Sequence, residues 1–79
     1  MPNPGRDRVE IGYRLAERGV VELGLYDGSG RLVRQVESGV RESGDQRVVV
    51  DVSGLASGTY HYQLRANGQV LTQTLTVVR

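Results

Sequence analysis

The sequence contains no cysteine, lysine, tryptophan or phenylalanine, and its single histidine is His61. No disulfide can brace the fold, and neither a thiolate zinc site nor a thiol nucleophile can form. A Schiff-base lysine and the lysine of a phosphate-binding Walker loop are excluded as well. The longest apolar run is Val48-Val49-Val50, far too short to cross a membrane as a helix. Met1-Pro2-Asn3-Pro4 has neither a charged start nor an apolar stretch, so no signal peptide is legible. Charge of one sign is lacking too. All ten basic residues are arginine, set against nine acids, and the signs interleave in Arg6-Asp7-Arg8-Val9-Glu10, Glu17-Arg18 and Arg41-Glu42. Nothing there neutralises a phosphate backbone or an anionic membrane, so the charges read as a solvated mixed surface and no nucleic-acid partner is expected.

What is present points to strands and turns. The 79 residues include thirteen Val, eleven Gly, eight Leu and four Tyr. Valine and tyrosine favour strands and glycine favours turns. By area scaling, a chain of 8.7 kDa buries roughly 62% of its unfolded surface on folding. That suffices for one core in a single domain, 1–79, without a deep cleft.

Period-two alternation recurs along the chain, whereas helical periodicity does not. Val9, Ile11, Tyr13 and Leu15 alternate with Arg8, Glu10, Gly12 and Arg14, the pattern of a half-buried strand. Val21, Leu23 and Leu25 share one face of a second strand, ending in a hairpin loop at Asp27-Gly28-Ser29-Gly30. A short third strand is expected over Leu32–Val36, then a polar loop from Ser38 to Asp45. A fourth strand follows, with Gln46, Val48 and Val50 facing the core and Val52 ending it. Ser53–Gly58 reads as a crossing loop plugged by Leu55. Tyr60, Tyr62 and Leu64 then alternate with His61, Gln63 and Arg65. Asn67-Gly68 is a strong hairpin signal, and the last strand runs from Val70 to Val78, with Leu71, Leu75 and Val77 on one face and Thr72, Thr74 and Thr76 on the other. Six or seven short strands with glycine-marked turns imply an all-β antiparallel sandwich.

The ordered landmarks resemble a known family. Pro2-Asn3-Pro4 precedes Val9-x-Ile11-x-Tyr13-x-Leu15. Gly19-x-Val21-x-Leu23-x-Leu25-Tyr26-Asp27 and Gly30-Arg31-x-Val33 follow, then Gly44, the strand to Asp51, and Leu55-x-x-Gly58-x-Tyr60-x-Tyr62-x-Leu64. This order resembles the C-terminal sorting domains of the type IX (Por) secretion system, and is similar to the immunoglobulin-like domain of flagellar hook-capping proteins. The resemblance implies an immunoglobulin-like sandwich of about seven strands, excised from a larger secreted bacterial protein. It implies a non-catalytic sorting signal that directs cargo from the periplasm across the outer membrane to the medium or cell surface. Its partner would be a protein of the translocon, bound by a domain that is itself monomeric. Family members often carry a lysine in the last strand and a basic residue at the end; here the positions hold Thr74 and Arg79. The structural motif residues carried over are Pro2, Asn3, Pro4, Asp27, Gly30, Leu55, Gly58 and Tyr60. An end strand presents backbone groups that another chain can pair with, so Leu75, Val77, Val78 and Arg79 are the candidate partner-binding residues.

Other constellations read as structure rather than chemistry. Asp27-Gly28-Ser29-Gly30 begins like a calcium loop, but Arg31 and Leu32 stand where further oxygen ligands belong, which favours a plain turn. His61 with Ser57 or Ser53 and Asp51 lacks a nucleophile elbow or oxyanion hole, and His61 has outward parity. Asp51, Asp45 and Glu42 make no glycosidase pair. Tyr60 follows Leu55 and Gly58 at a sheet-crossing corner, where a buried ring with its hydroxyl on nearby backbone is expected. No catalytic residue, metal, cofactor or small-molecule substrate is assigned. The alternatives are a structural assembly module like the hook-cap domain, or a carbohydrate-binding accessory domain using Tyr26.

Overall fold

The computed structural model describes residues 7–78. Six strands carry the fold there: β1 (Arg8–Leu15), β2 (Gly19–Tyr26), β3 (Leu32–Arg41), β4 (Gly44–Asp51), β5 (Gly58–Ala66) and β6 (Gln69–Val77). β1 and β4 form a two-stranded sheet; the other sheet has the order β3-β2-β5-β6, and every pairing is antiparallel. The fold is all-β in two sheets, as the alternation predicts, with six strands among the described residues.

The alternating residues meet between the sheets. β1 contributes Ile11 and Leu15, and β2 contributes Val21, Leu23 and Leu25, the last three with no exposed surface. Leu23 stands opposite Leu64 of β5. Val50 and Val52 enter from β4 and the residue after it. Each such side chain contributes about 1.5–3 kcal/mol by leaving water. On the outer face of the small sheet, Arg14 pairs with Asp45 at 3.1 Å and Arg47 with Glu10 at 2.9 Å, both exposed.

β3 departs from the sequence expectation. It is ten residues long and runs through Ser38–Arg41, a stretch that reads as loop. Those polar residues are extended because Gly19–Glu22 of β2 supply their hydrogen-bonding partners. Only Glu42 and Ser43 separate β3 from β4, which starts two residues before Gln46. The pairing of β3 with β2 also slips twice, leaving Val36 and Val33 as extra residues. Each slip resets the side-chain parity, so both valines turn toward the core although three positions separate them.

The β5–β6 connection follows the expected chemistry. Asn67 at φ 53° and Gly68 at φ 75° form the two-residue turn, and Ala66 pairs with Gln69 across it. Positive φ at both central positions suits Asn-Gly and matches the twist of the flanking strands. The Asn67 side chain also donates to the Glu17 carbonyl at 3.2 Å, tying this hairpin to the β1–β2 connection.

Candidate partner-binding strand

β6 is an edge strand among the described residues, pairing with β5 alone. The Asn67-Gly68 turn fixes the hydrogen-bonding phase. Ala66 and Gln69 exchange bonds, as do the pairs Leu64–Leu71, Tyr62–Gln73, Tyr60–Leu75 and Gly58–Val77 in the same register. The backbone groups of Val70, Thr72, Thr74 and Thr76 therefore point away from β5, toward the open edge.

The small sheet is too narrow to cover the whole inner face of the large one. Toward the Asn67-Gly68 end, Leu71 has inward parity yet is 48% exposed. An open groove of about 590 Å³ runs there between the end of β1 and β6, lined in part by Leu15, Ala16, Leu64, Val70 and Leu71. At the opposite end the strand is anchored: Leu75 is half-buried opposite Tyr60, and Val77 lies in the core opposite Gly58. Val78 is exposed. Arg79, like Pro2, Asn3 and Pro4, lies outside the described residues. Of the candidate binding residues, Val77 thus holds the strand in place while Val78 is presented to solvent.

Charge separates β6 from the other edges. β1 carries Arg8, Glu10 and Arg14; β4 carries Asp45, Arg47 and Asp51; β3 carries Arg34, Glu37 and Arg41 in addition to its two slips. Charges and bulges of this kind deter strand addition at an edge. From Gln69 to Val78 there is no charge, proline or glycine, and the register with β5 is unbroken. That contrast is written in the sequence, but its meaning depends on knowing which strands are edges.

The motif residues shape the corners. Asp27 Oδ1 accepts from the Ser29 amide at 2.9 Å, the Ser29 hydroxyl at 2.6 Å and the Arg31 amide at 3.0 Å. Its other oxygen faces the Arg31 guanidinium, and the Gly30 amide donates to the Asp27 carbonyl at 3.0 Å. The Ser29 hydroxyl, then the Arg31 amide, hold this carboxyl down at about 2. Asp51 makes the same type of turn with Ser53, whose hydroxyl likewise lowers its pKa. Leu55 is buried beyond this turn, and the Tyr60 hydroxyl donates to the Ala56 carbonyl at 2.6 Å. His61 lies on the outer face between Tyr26 and Thr74. Tyr26 lies over Gly24, where a Cβ would come within 3.2 Å of its ring.

One network escapes the sequence reading. The Tyr13 hydroxyl on β1 donates to Glu37 of β3 at 2.8 Å, and Arg41 bonds the same carboxylate at 2.8 Å. Burial, then the Glu37 hydrogen bond, push the Tyr13 pKa up to about 12. Nothing in the local pattern of either strand announces this bridge, because it depends on how the sheets stack.

A family model described as the secretion system C-terminal sorting domain matches residues 1–78. The chain belongs to this family. A sorting domain of this kind is a C-terminal signal for type IX secretion and marks a secreted or cell-surface protein. Interaction with proteins of the secretion machinery is the expectation for such a domain. Searches of curated proteins and of solved structures each returned no match.

Proposed function

We propose that this sorting domain is a non-catalytic address, read by a component of the type IX translocon through the open edge of β6 and the residues that follow it. The observation that carries the reading is the uncharged, unbulged edge of β6 on a molecule whose other edges are guarded. Its outward backbone groups at Val70, Thr72, Thr74 and Thr76 match an added strand, the usual means by which a sheet edge captures an extended segment. The reading includes passage of the cargo from the periplasm across the outer membrane, with residues 1–79 as one domain of a larger protein.

The finer architecture is immunoglobulin-like. The two-stranded pairing of β1 with β4, opposed to the order β3-β2-β5-β6, corresponds to the B-E and C′-C-F-G strands of such sandwiches. A corner tyrosine at the start of the F strand supports it, since Tyr60 occupies that place in β5. The experiment is to fuse residues 1–79 to a periplasmic reporter in a bacterium with a working type IX system. Reporter in the medium or on the cell surface supports the proposal; reporter held in the periplasm, as without the domain, overturns it.

A further inference from the structure

The centre of β6, Leu71-Thr72-Gln73-Thr74-Leu75, reads the same in both directions. An antiparallel pair of identical strands needs this kind of self-complementarity, because a two-fold axis sets residue i against residue j and j against i. We propose that two copies of the chain associate through antiparallel pairing of β6 with β6, about a two-fold axis at Gln73.

The hydrogen-bonding phase permits this register. With the axis at Gln73, Thr72 faces Thr74 of the second copy and Val70 faces its Thr76. All four are residues whose backbone groups point to the open edge, so donors meet acceptors along the strand. An axis falling between two residues would set outward groups against inward ones. Axes at Thr72 or Thr74 keep the backbone phase but place Gln73 opposite a leucine. Only the Gln73 axis sets glutamine beside glutamine, threonine beside threonine and leucine beside leucine.

Two further observations favour a second copy as the occupant. Leu71 is 48% exposed despite its inward parity, and this register brings Leu75 of the second copy against it. A charge on the two-fold axis meets its own copy, and cross-strand pairs of like charge are destabilising. Each of the other five strands carries charge; β6 carries none. The inference uses the same edge as the sorting proposal but does not rest on it. Its consequence is that paired copies hide the edge and must part before another protein can add a strand.

The test uses the purified chain in sedimentation over a range of concentrations, with no export step. The expected result is a mass rising with concentration from 8.7 kDa to twice that value. Gln73 is exposed, on the same face as Leu71 and near Ile11 and Leu64. Gln73→Lys alone and Gln73→Glu alone should each stay monomeric, since two like charges would meet about 4.5 Å apart between Cα atoms. Mixing the two should restore a one-to-one dimer. Thr74→Pro, which removes an outward N–H without touching the β5 pairing, should also stay monomeric; circular dichroism checks that all three fold. A wild-type chain that remains at 8.7 kDa up to millimolar concentration overturns the proposal and leaves the edge to a strand of another protein. Single-charge variants that still dimerise, or a mixture that does not, overturn it equally.

Discussion

The hydroxyl of Tyr60 donates a 2.6 Å hydrogen bond to the carbonyl of Ala56, four residues earlier in the chain. The ring is buried beside Leu55, so one side chain closes the crossing loop and helps fill the core at the start of β5. Tyr60→Phe keeps the ring and removes the bond. Ala56 is exposed, so water can replace the hydroxyl at its carbonyl, and losing the bond should cost about 0.5–1.5 kcal/mol. For a domain this small, each kcal/mol corresponds to a midpoint shift of about 4–8 °C, which thermal unfolding will resolve. A midpoint equal to wild type would show that the corner bond contributes nothing.

Leu23 and Leu71 share inward parity but not burial: one has no exposed surface and the other is 48% exposed. Leu23→Ala should cost about 2–5 kcal/mol, through lost transfer energy and the cavity left behind. Leu71→Ala should stay within about 0.5 kcal/mol when measured on the monomer. Denaturant unfolding of the two variants gives the comparison. Equal losses would mean that β1 covers β6 more fully than this structure describes.

Tyr13 ties the alkaline limb of stability to the contact between the sheets. Its pKa is raised from 10.0 to about 12 in the folded state, by burial and by the Glu37 hydrogen bond. The group is neutral in both states below pH 10, so its contribution is fully present there. It is lost as pH rises from about 10 to about 12, because the unfolded chain ionises first. The ultraviolet titration of wild type minus that of Tyr13→Phe isolates this group and should show it ionising late, at about pH 12. A difference curve with its midpoint near pH 10 would contradict the assignment.

Much of this fold is legible in the sequence. The alternation Val9-Ile11-Tyr13-Leu15, the Asn67-Gly68 turn and the Leu55 plug all act through neighbours close in the chain or through strict parity. What escaped depends on neighbours distant in sequence. Ser38–Arg41 is extended only because β2 pairs with it, and the slips at Val33 and Val36 hide the third strand's apolar face from a period-two reading. Leu71 and Val77 look equivalent by alternation, yet only Val77 lies in the core. The candidate site was legible in the same measure: the chain's last strand was evident, but not which of its residues anchor it and which face the open edge.

If the secretion machinery reads the β6 edge, blocking that edge must stop export. The most direct measurement is export of a reporter fused to residues 1–79, comparing wild type with Thr74→Pro and with Val49→Thr. Val49 is exposed on the outer face of the small sheet, well away from β6, and serves as the control. Circular dichroism establishes that each domain is folded. Wild type and Val49→Thr should be exported, and a folded Thr74→Pro fusion should be held back in the periplasm. Export of Thr74→Pro at the wild-type level would contradict this reading of the β6 edge.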